Sequence, residues 1–285
     1  MAEVLGRGLG TLALRQRNYD EARTLYEKAL AIFRELKDTR MSAMMLTYLG
    51  GAALDEGDYQ RAELLYQESL KLTRMVGAKP ALSSVLFHLG RIALVRCDYA
   101  AARALFEECL ALEREMGRRQ ALARSLNCLG DVARFQGNYA EAKTCYDECL
   151  ALFRAMGAKP SIAVLLHSLG HVALHQGDSR RAQMLFVEGL SLEREFEHQQ
   201  HIGEFLAGLA TVAAVDGAPD RAARLFGAAE ASLSASGDRL DLVDFGEDDR
   251  NLASLRAQVD TEVFAAAWAE GQAMTLEQSI AHGLE

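Results

Sequence analysis

The sequence predicts an all-α chain: a right-handed superhelical solenoid of six stacked helix pairs, closed by a C-terminal helical cap. Three observations predict it. A set of landmark residues recurs every 40 positions. Alanine, leucine, glutamate and arginine dominate, and only three prolines occur in 285 residues, a helix-forming composition. Leucines return at three- and four-residue intervals, the spacing that gives a helix one apolar face. Half of the residues are hydrophobic, enough to bury a substantial core and too many for a disordered chain.

The first helix of each pair carries a Leu-Gly landmark. It reads "YLG" at Tyr48–Gly50, "HLG" at His88–Gly90, "CLG" at Cys128–Gly130 and "SLG" at Ser168–Gly170. Leu9-Gly10 opens the series and Leu209-Ala210 closes it. The turn that follows reads "RNYDEA", "GDYQRA", "CDYAAA", "GNYAEA", "GDSRRA" and "GAPDRA". Asp or Asn there caps the next helix, and the residue before it breaks the previous one.

The second helix begins with an alanine at fixed offset: Ala22, Ala62, Ala102, Ala142, Ala182 and Ala222. Four residues later stands an aromatic: Tyr26, Tyr66, Phe106, Tyr146, Phe186 and Phe226. Three further on comes a small residue: Ala29, Ser69, Cys109, Cys149, Gly189 and Ala229. Small residues let helices approach closely, and the aromatic fills the space between one pair and the next. "GAKPA" and "GAKPS" join successive pairs, with Gly77 and Gly157 suited to helix ends and Pro80 and Pro160 to a first turn.

This ordered set resembles the tetratricopeptide repeat over residues 1–236, six units. The usual period is about 34, so each unit here has longer helices. The sixth unit decays, with Ala210 in place of glycine and Ala218-Pro219 in place of the Asp-Tyr step. Residues 237–248 then read as a loop. Residues 249–285 read as capping helices, including "FAAAWAEGQAM" with Trp268, over the last apolar face.

The resemblance implies a non-catalytic binding scaffold whose first helices line a concave groove. Aligned on Leu-Gly, the groove positions vary strongly between units while the landmarks do not. The candidate binding residues are Phe87, Arg91, Asn127, Asp131, Arg134, Phe135, His167, His171 and His175. Arginine, aromatic and amide together suit a peptide or an anionic small molecule.

His167, His171 and His175 are spaced by four, which stacks their rings on one helix face. Two such histidines can chelate zinc, copper or nickel, with Asp131 the nearest sequence candidate for a further ligand. No glutamate follows His167 as in "HExxH", because Ser168 stands there. The reading is a polar groove face, with no metal and no cofactor.

No phosphate loop, dinucleotide fingerprint or serine–histidine–acid arrangement is present, so no enzyme is expected. Five cysteines, an odd number, fit no disulfide framework; Cys109, Cys128 and Cys149 read as core positions, and all five, Cys97 and Cys145 included, as structural rather than nucleophilic or metal-ligating. Glu107-Glu108 and Glu113/Glu115 read as a solvated face of second helices. The net charge is −9, and residues 241–285 hold ten acidic and two basic side chains. No basic footprint for direct nucleic-acid binding is evident, nor a membrane span or secretory signal, so a cytoplasmic location is expected.

Three functions are compatible with these residues. The first is a scaffold holding a peptide or protein segment in its groove. The second follows from a further resemblance. "RAARLFGAAEASL" and "FAAAWAEGQAMTLEQSIAHGL" are similar to the C-terminal region of large bacterial signalling regulators. That family joins an ATPase switch to a tetratricopeptide sensor, which implies a sensor role for a partner or a small-molecule effector. The third is a structural array that self-associates. An acidic segment at residues 238–249 is also a candidate to occupy the groove arginines.

Overall fold

The computed structural model describes residues 2–195, 201–236, 252–253, 256 and 260–285. All regular structure among them is helical. A π-helical stretch, Val4–Gly10, runs into α1 (Thr11–Arg15). The helices that follow are α2 (Tyr19–Glu35), α3 (Thr39–Asp55), α4 (Tyr59–Val76), α5 (Lys79–Val95), α6 (Tyr99–Met116) and α7 (Arg119–Phe135). Then come α8 (Tyr139–Met156), α9 (Lys159–His175), α10 (Ser179–Glu193), α11 (Ile202–Val215) and α12 (Pro219–Ser236). Two shorter helices end the chain, α13 (Thr261–Gln272) and α14 (Leu276–Leu284). The chain divides into an N-terminal unit, Met1–Val132, and a C-terminal unit, Ala133–Glu285.

The turns obey a period of 20 residues. A left-handed backbone residue ends helix after helix: Arg17 (φ 57°), Lys37 (55°), Gly57 (79°), Gly77 (68°), Cys97 (59°), and onward to Gly217 (78°). Glycine adopts that conformation freely, whereas the three side-chain-bearing residues hold it at a cost. The next helix is then capped. Asp38 Oδ1 accepts the Met41 N–H at 2.9 Å, and Asp58 Oδ1 accepts that of Arg61 at 2.9 Å. Asp98 and Asp178 do the same for Ala101 (3.1 Å) and Arg181 (3.0 Å). Helices α5 and α9 lack such a cap and instead place Pro80 and Pro160 in their first turns.

The Leu-Gly landmark and the aromatic 16 residues later form one packing device. Tyr26, Tyr66 and Phe106 of the N-terminal unit are fully buried. The Tyr66 ring lies flat on the α3 backbone, so a Cβ at Gly50 would stand 2.8 Å from its Cζ. In the C-terminal unit Phe186 lies on Gly170 in the same manner, and a Cβ there would meet Cε1 at 2.4 Å. The glycine is therefore the seat of the ring.

Within each unit, exposed ion pairs tie second helices of successive repeats to one another. In the N-terminal unit Glu27 meets Arg61 (3.0 Å) and Arg74 meets Glu108 (2.9 Å). In the C-terminal unit Arg154 meets Glu188 (2.8 Å). Each is worth about 0–1 kcal/mol at such exposure. Glu113 departs from the solvated face expected of it. It is only 2% exposed, accepts the Ser83 hydroxyl and lies 3.5 Å from Arg118. Its repeat position is the inward one that holds Phe33, Thr73 and Phe153 elsewhere.

At the C-terminal end α13 packs along α12 at backbone distance. A Cβ on Gly271 would stand 2.0 Å from the Arg224 carbonyl oxygen, and one on Gly227 would stand 2.3 Å from that of Trp268. Helix α14 opens with a capping box between Thr275 and Gln278. It seats Gly283 against Leu190 and Leu206, and Arg221 donates to the His282 carbonyl at 3.3 Å. The 237–248 loop and the acidic segment 238–249 lie outside the described residues.

Candidate binding faces

In the N-terminal unit the candidate residues come from α5 and α7. Phe87 is buried to 8% exposure and packs against Phe106, with ring centroids 5.9 Å apart. It serves as a floor rather than a projecting contact. The Arg124 guanidinium lies over its face, 4.7 Å from the centroid. Arg91, one turn beyond Phe87, is exposed and makes no ion pair among the described residues. Asn127 Nδ2 donates to Asp131 Oδ2 at 3.3 Å, and both side chains are half-buried.

Behind this face His88 stacks on Tyr66, with centroids 5.0 Å apart and planes within 9°. Neither His88 Nδ1 nor the Tyr66 hydroxyl finds a hydrogen-bond partner. Burial pushes the His88 pKa down to about 4, and the charges of Arg91 and Arg124 push the same way. Burial likewise raises the Tyr66 hydroxyl and the Cys128 thiol, while Arg91 works against both shifts. Asp131 adds to the Cys128 shift and Asp55 to that of Tyr66, so charges of both signs act on these buried groups.

In the C-terminal unit Arg134 is 5% exposed, with its guanidinium 4.6 Å from the centroid of the half-buried Phe135. His175 is exposed and stacks on Tyr139 at 4.4 Å. Its two neighbours on the stripe do not share that exposure. His167 is 3% exposed and His171 is 1% exposed, so the expectation of three histidines on one open face is corrected to one.

The physical reason lies in α10 and α11. Phe205 stands where the preceding repeats carry Met45, Val85, Ser125 and Leu165. Its ring is accommodated by Gly189, where a Cβ would stand 2.1 Å from Cε1. The ring therefore reaches His167, at 5.5 Å, while Phe186 closes on His171 at 5.4 Å. The two imidazoles turn to each other, with Nε2 atoms 3.2 Å apart, so one Nε2–H donates to the other ring. Two ligands alone do not make a metal site. Among the described residues no group of three histidine, cysteine or carboxylate side chains converges.

Arg124 was not among the groove rows, although it sits three residues before Asn127 and so on the same helix face. His88 precedes the Leu-Gly landmark and Tyr66 is the repeat aromatic, and neither position alone reveals their stacking. Cys109 and Cys149 are buried in the cores of their units and Cys97 is exposed. No described helix is long and apolar enough to cross a membrane.

Repeated helix pairs with glycine-seated aromatics, built for presentation of a side-chain face, define a repeat scaffold. The tetratricopeptide repeat family model matches residues 1–75, 41–115 and 121–195, and the chain belongs to that family. Its members are scaffolds that typically mediate protein interactions and are generally non-catalytic. A comparison with curated proteins returned no match. Solved structures share the fold at low identity. The apo form of RapI aligns with a TM-score of 0.68 at 15% identity, over 90% of this chain and 98% of that one. A signal transduction ATPase with numerous domains and a tetratricopeptide repeat sensor, from Pyrococcus horikoshii, aligns with a TM-score of 0.67 at 16% identity. That match spans 92% of this chain and 42% of the ATPase. BtubC from P. vanneervenii aligns with a TM-score of 0.64 at 18% identity, over 78% of this chain and 94% of that one.

Proposed function

We propose that the first-helix face of the N-terminal unit binds a peptide or protein segment with acidic character. The observation that carries this reading is Arg91: an exposed guanidinium without an ion-pair partner among the described residues, on a face where Arg124 already covers the Phe87 floor. Arg91 offers fork-like donors to a carboxylate, and Asn127 with Asp131 supplies polar contacts that fix orientation. In the C-terminal unit Phe135 and His175 are the accessible candidates, while His167 and His171 serve packing. In this reading residues 1–236 form six helix pairs, residues 249–285 cap them, and the protein works in the cytoplasm without a cofactor.

Affinity capture from a bacterial lysate tests it, comparing wild type with Arg91→Glu and confirming helicity by circular dichroism. A partner held by wild type and lost by the folded variant supports the reading. Capture of the same partners by both chains overturns it. Arg134→Glu is not an equivalent probe, because Arg134 is buried and its replacement would place a carboxylate in the core.

A second reading has one observation in its favour. The chain aligns over nearly its whole length with a portion of an ATPase that carries a tetratricopeptide sensor. As such a sensor, the same face would take a small anionic effector in place of a peptide. Thermal stabilisation by one metabolite class, growing with concentration as mass action requires, separates this reading from the first.

A further inference from the structure

A second cationic feature of the N-terminal unit lies outside that face's candidate set. Arg118, Arg119, Gln120, Ala121 and Arg124 line a concavity of about 370 Å³ where α6 turns into α7. Three guanidiniums fall within seven residues there. The other repeats carry no such cluster: the counterparts of Arg118 and Arg124 are Ala78 and Ser84 one repeat earlier, and Ala158 and Val164 one repeat later.

The repeat itself marks Arg119 as unusual. Its counterparts Lys79 and Lys159 each pair with a glutamate 36 residues downstream, Glu115 and Glu195. The residue 36 beyond Arg119 is Ala155. Arg119 is exposed and makes no ion pair or hydrogen bond through its side chain among the described residues. A periodic interaction has been kept on its basic side and deleted on its acidic side.

The other two arginines retain unused donors. Arg118 lies 3.5 Å from the buried Glu113, with its side chain still 47% exposed. Arg124 places its guanidinium carbon 4.7 Å from the Phe87 centroid and makes no ion pair among the described residues. Among the described residues the only carboxylate paired with the cluster is Glu113, already engaged by Ser83 and Arg118.

We infer that this concavity is a binding site for a phosphate monoester. A single carboxylate offers one negative charge and two oxygens to three guanidiniums. A phosphate monoester offers nearly two charges and three strong acceptor oxygens, which suits bidentate arginine donors. The monoester can be carried by a phosphorylated peptide side chain or by a small metabolite. The site does not depend on the peptide reading of the neighbouring face, since Arg119 and Gln120 have no part in that reading.

The test is calorimetric titration of the full chain with four probes: a phosphoserine hexapeptide, its unphosphorylated form, ribose 5-phosphate and inorganic sulfate. Arginine Nε–Hε resonances are followed in parallel. Expected are saturable binding of a phosphorylated probe, weakening as salt is raised, and shifts confined to the Arg118, Arg119 and Arg124 signals. Arg119→Ala is expected to weaken binding at least fivefold and Arg119→Lys less, with helicity unchanged because the side chain is exposed. Preference for the hexapeptide assigns the source to a phosphorylated partner, and preference for ribose 5-phosphate assigns it to a metabolite. Binding of sulfate as tightly as the phosphate probes means an adventitious ion only and overturns the inference. So does binding that Arg119→Ala leaves intact, or no binding at all.

Discussion

Phe87 and Arg91 on α5 stand at the same two repeat positions as His167 and His171 on α9; the first position is buried in both units, and the second in only one. In the N-terminal unit Arg91 is left in solvent. In the C-terminal unit its counterpart His171 is 1% exposed. The Leu-Gly seat, the turn and the second-helix aromatic are alike in both places. What differs is the next first helix: α11 brings Phe205, and Gly189 makes room for it. Phe205 closes on His167, and His171 turns its Nε2 to that ring at 3.2 Å and packs on Phe186, so the second position is surface in one unit and core in the other.

The strongest way to break this contrast is to refill the gap that lets Phe205 in. Gly189→Val is expected to destabilise the protein by about 3 kcal/mol or more, since its first carbon alone would overlap a fully buried ring. A helical glycine with open space is Gly51 on α3, where a Cβ would meet only the Tyr66 hydroxyl, at 3.7 Å. Gly51→Ala is expected to be neutral or to stabilise by about 0.5–1 kcal/mol through helix propensity. Urea unfolding midpoints of the two variants check both numbers. Equal and small effects would mean that the C-terminal packing is looser than its geometry.

Acid sharpens the comparison from the other side. The His88 pKa is pushed down from its ordinary 6.5 to about 4, first by burial and then by Arg91 and Arg124. The folded state thus binds the proton less readily than the unfolded chain. Its contribution is fully present above pH 6.5 and is lost as pH falls toward 4, amounting to about 3 kcal/mol in total. A urea midpoint that declines through this window in wild type, and declines less in His88→Phe, is the expected result. A variant with an unchanged acid limb would show that His88 is not the group responsible.

Much of this was legible in the sequence, for a physical reason. The contacts that build each helix pair recur with the 40-residue period, so Gly50 with Tyr66 and Gly170 with Phe186 announce themselves as repeats. Asp58 and Asp98 were readable as caps because the donors lie three residues away. The burial of His167 was not readable, because it depends on Phe205, nearly one repeat downstream, and on the size of residue 189. Glu113 misled for a related reason: its acidic neighbours on α6 are solvated, and only the inward register of its own position buries it. Arg124 escaped because the rows were anchored on Leu-Gly, and it lies one turn before them on the same face.

The 20-residue turn period supplies a smaller test, and one that both units share. Lys37 holds a left-handed backbone (φ 55°) at the position where Gly57, Gly77 and Gly157 hold theirs. A side chain in that region costs about 1–2 kcal/mol, part of which glycine gives back through the greater freedom of its unfolded chain. Lys37→Gly is expected to stabilise by roughly 0.5–1 kcal/mol, read from the urea midpoint at constant slope. Gly57→Lys, the reverse change at an equivalent turn, is expected to cost a similar amount.

The smallest expected effect on stability belongs to the residue with the largest expected effect on binding. Arg91 is exposed, is bonded to nothing among the described residues, and lies over no ring. Arg91→Glu is expected to change stability by no more than about 0.5 kcal/mol, as for an ordinary surface substitution. It would also remove one of the two cationic contributions that lower the His88 pKa, so that pKa should rise toward its ordinary value and the loss of stability in acid should become smaller. The replacement carboxylate pushes in the same direction, which makes the sign unambiguous. His171, at the same repeat position in the C-terminal unit, offers the opposite test. His171→Glu would place a carboxylate between Phe186 and His167, and unfolding of the C-terminal unit is the expected outcome. A tolerant site at Arg91 and an intolerant one at His171 would establish that one repeat position serves as surface in one unit and as core in the other.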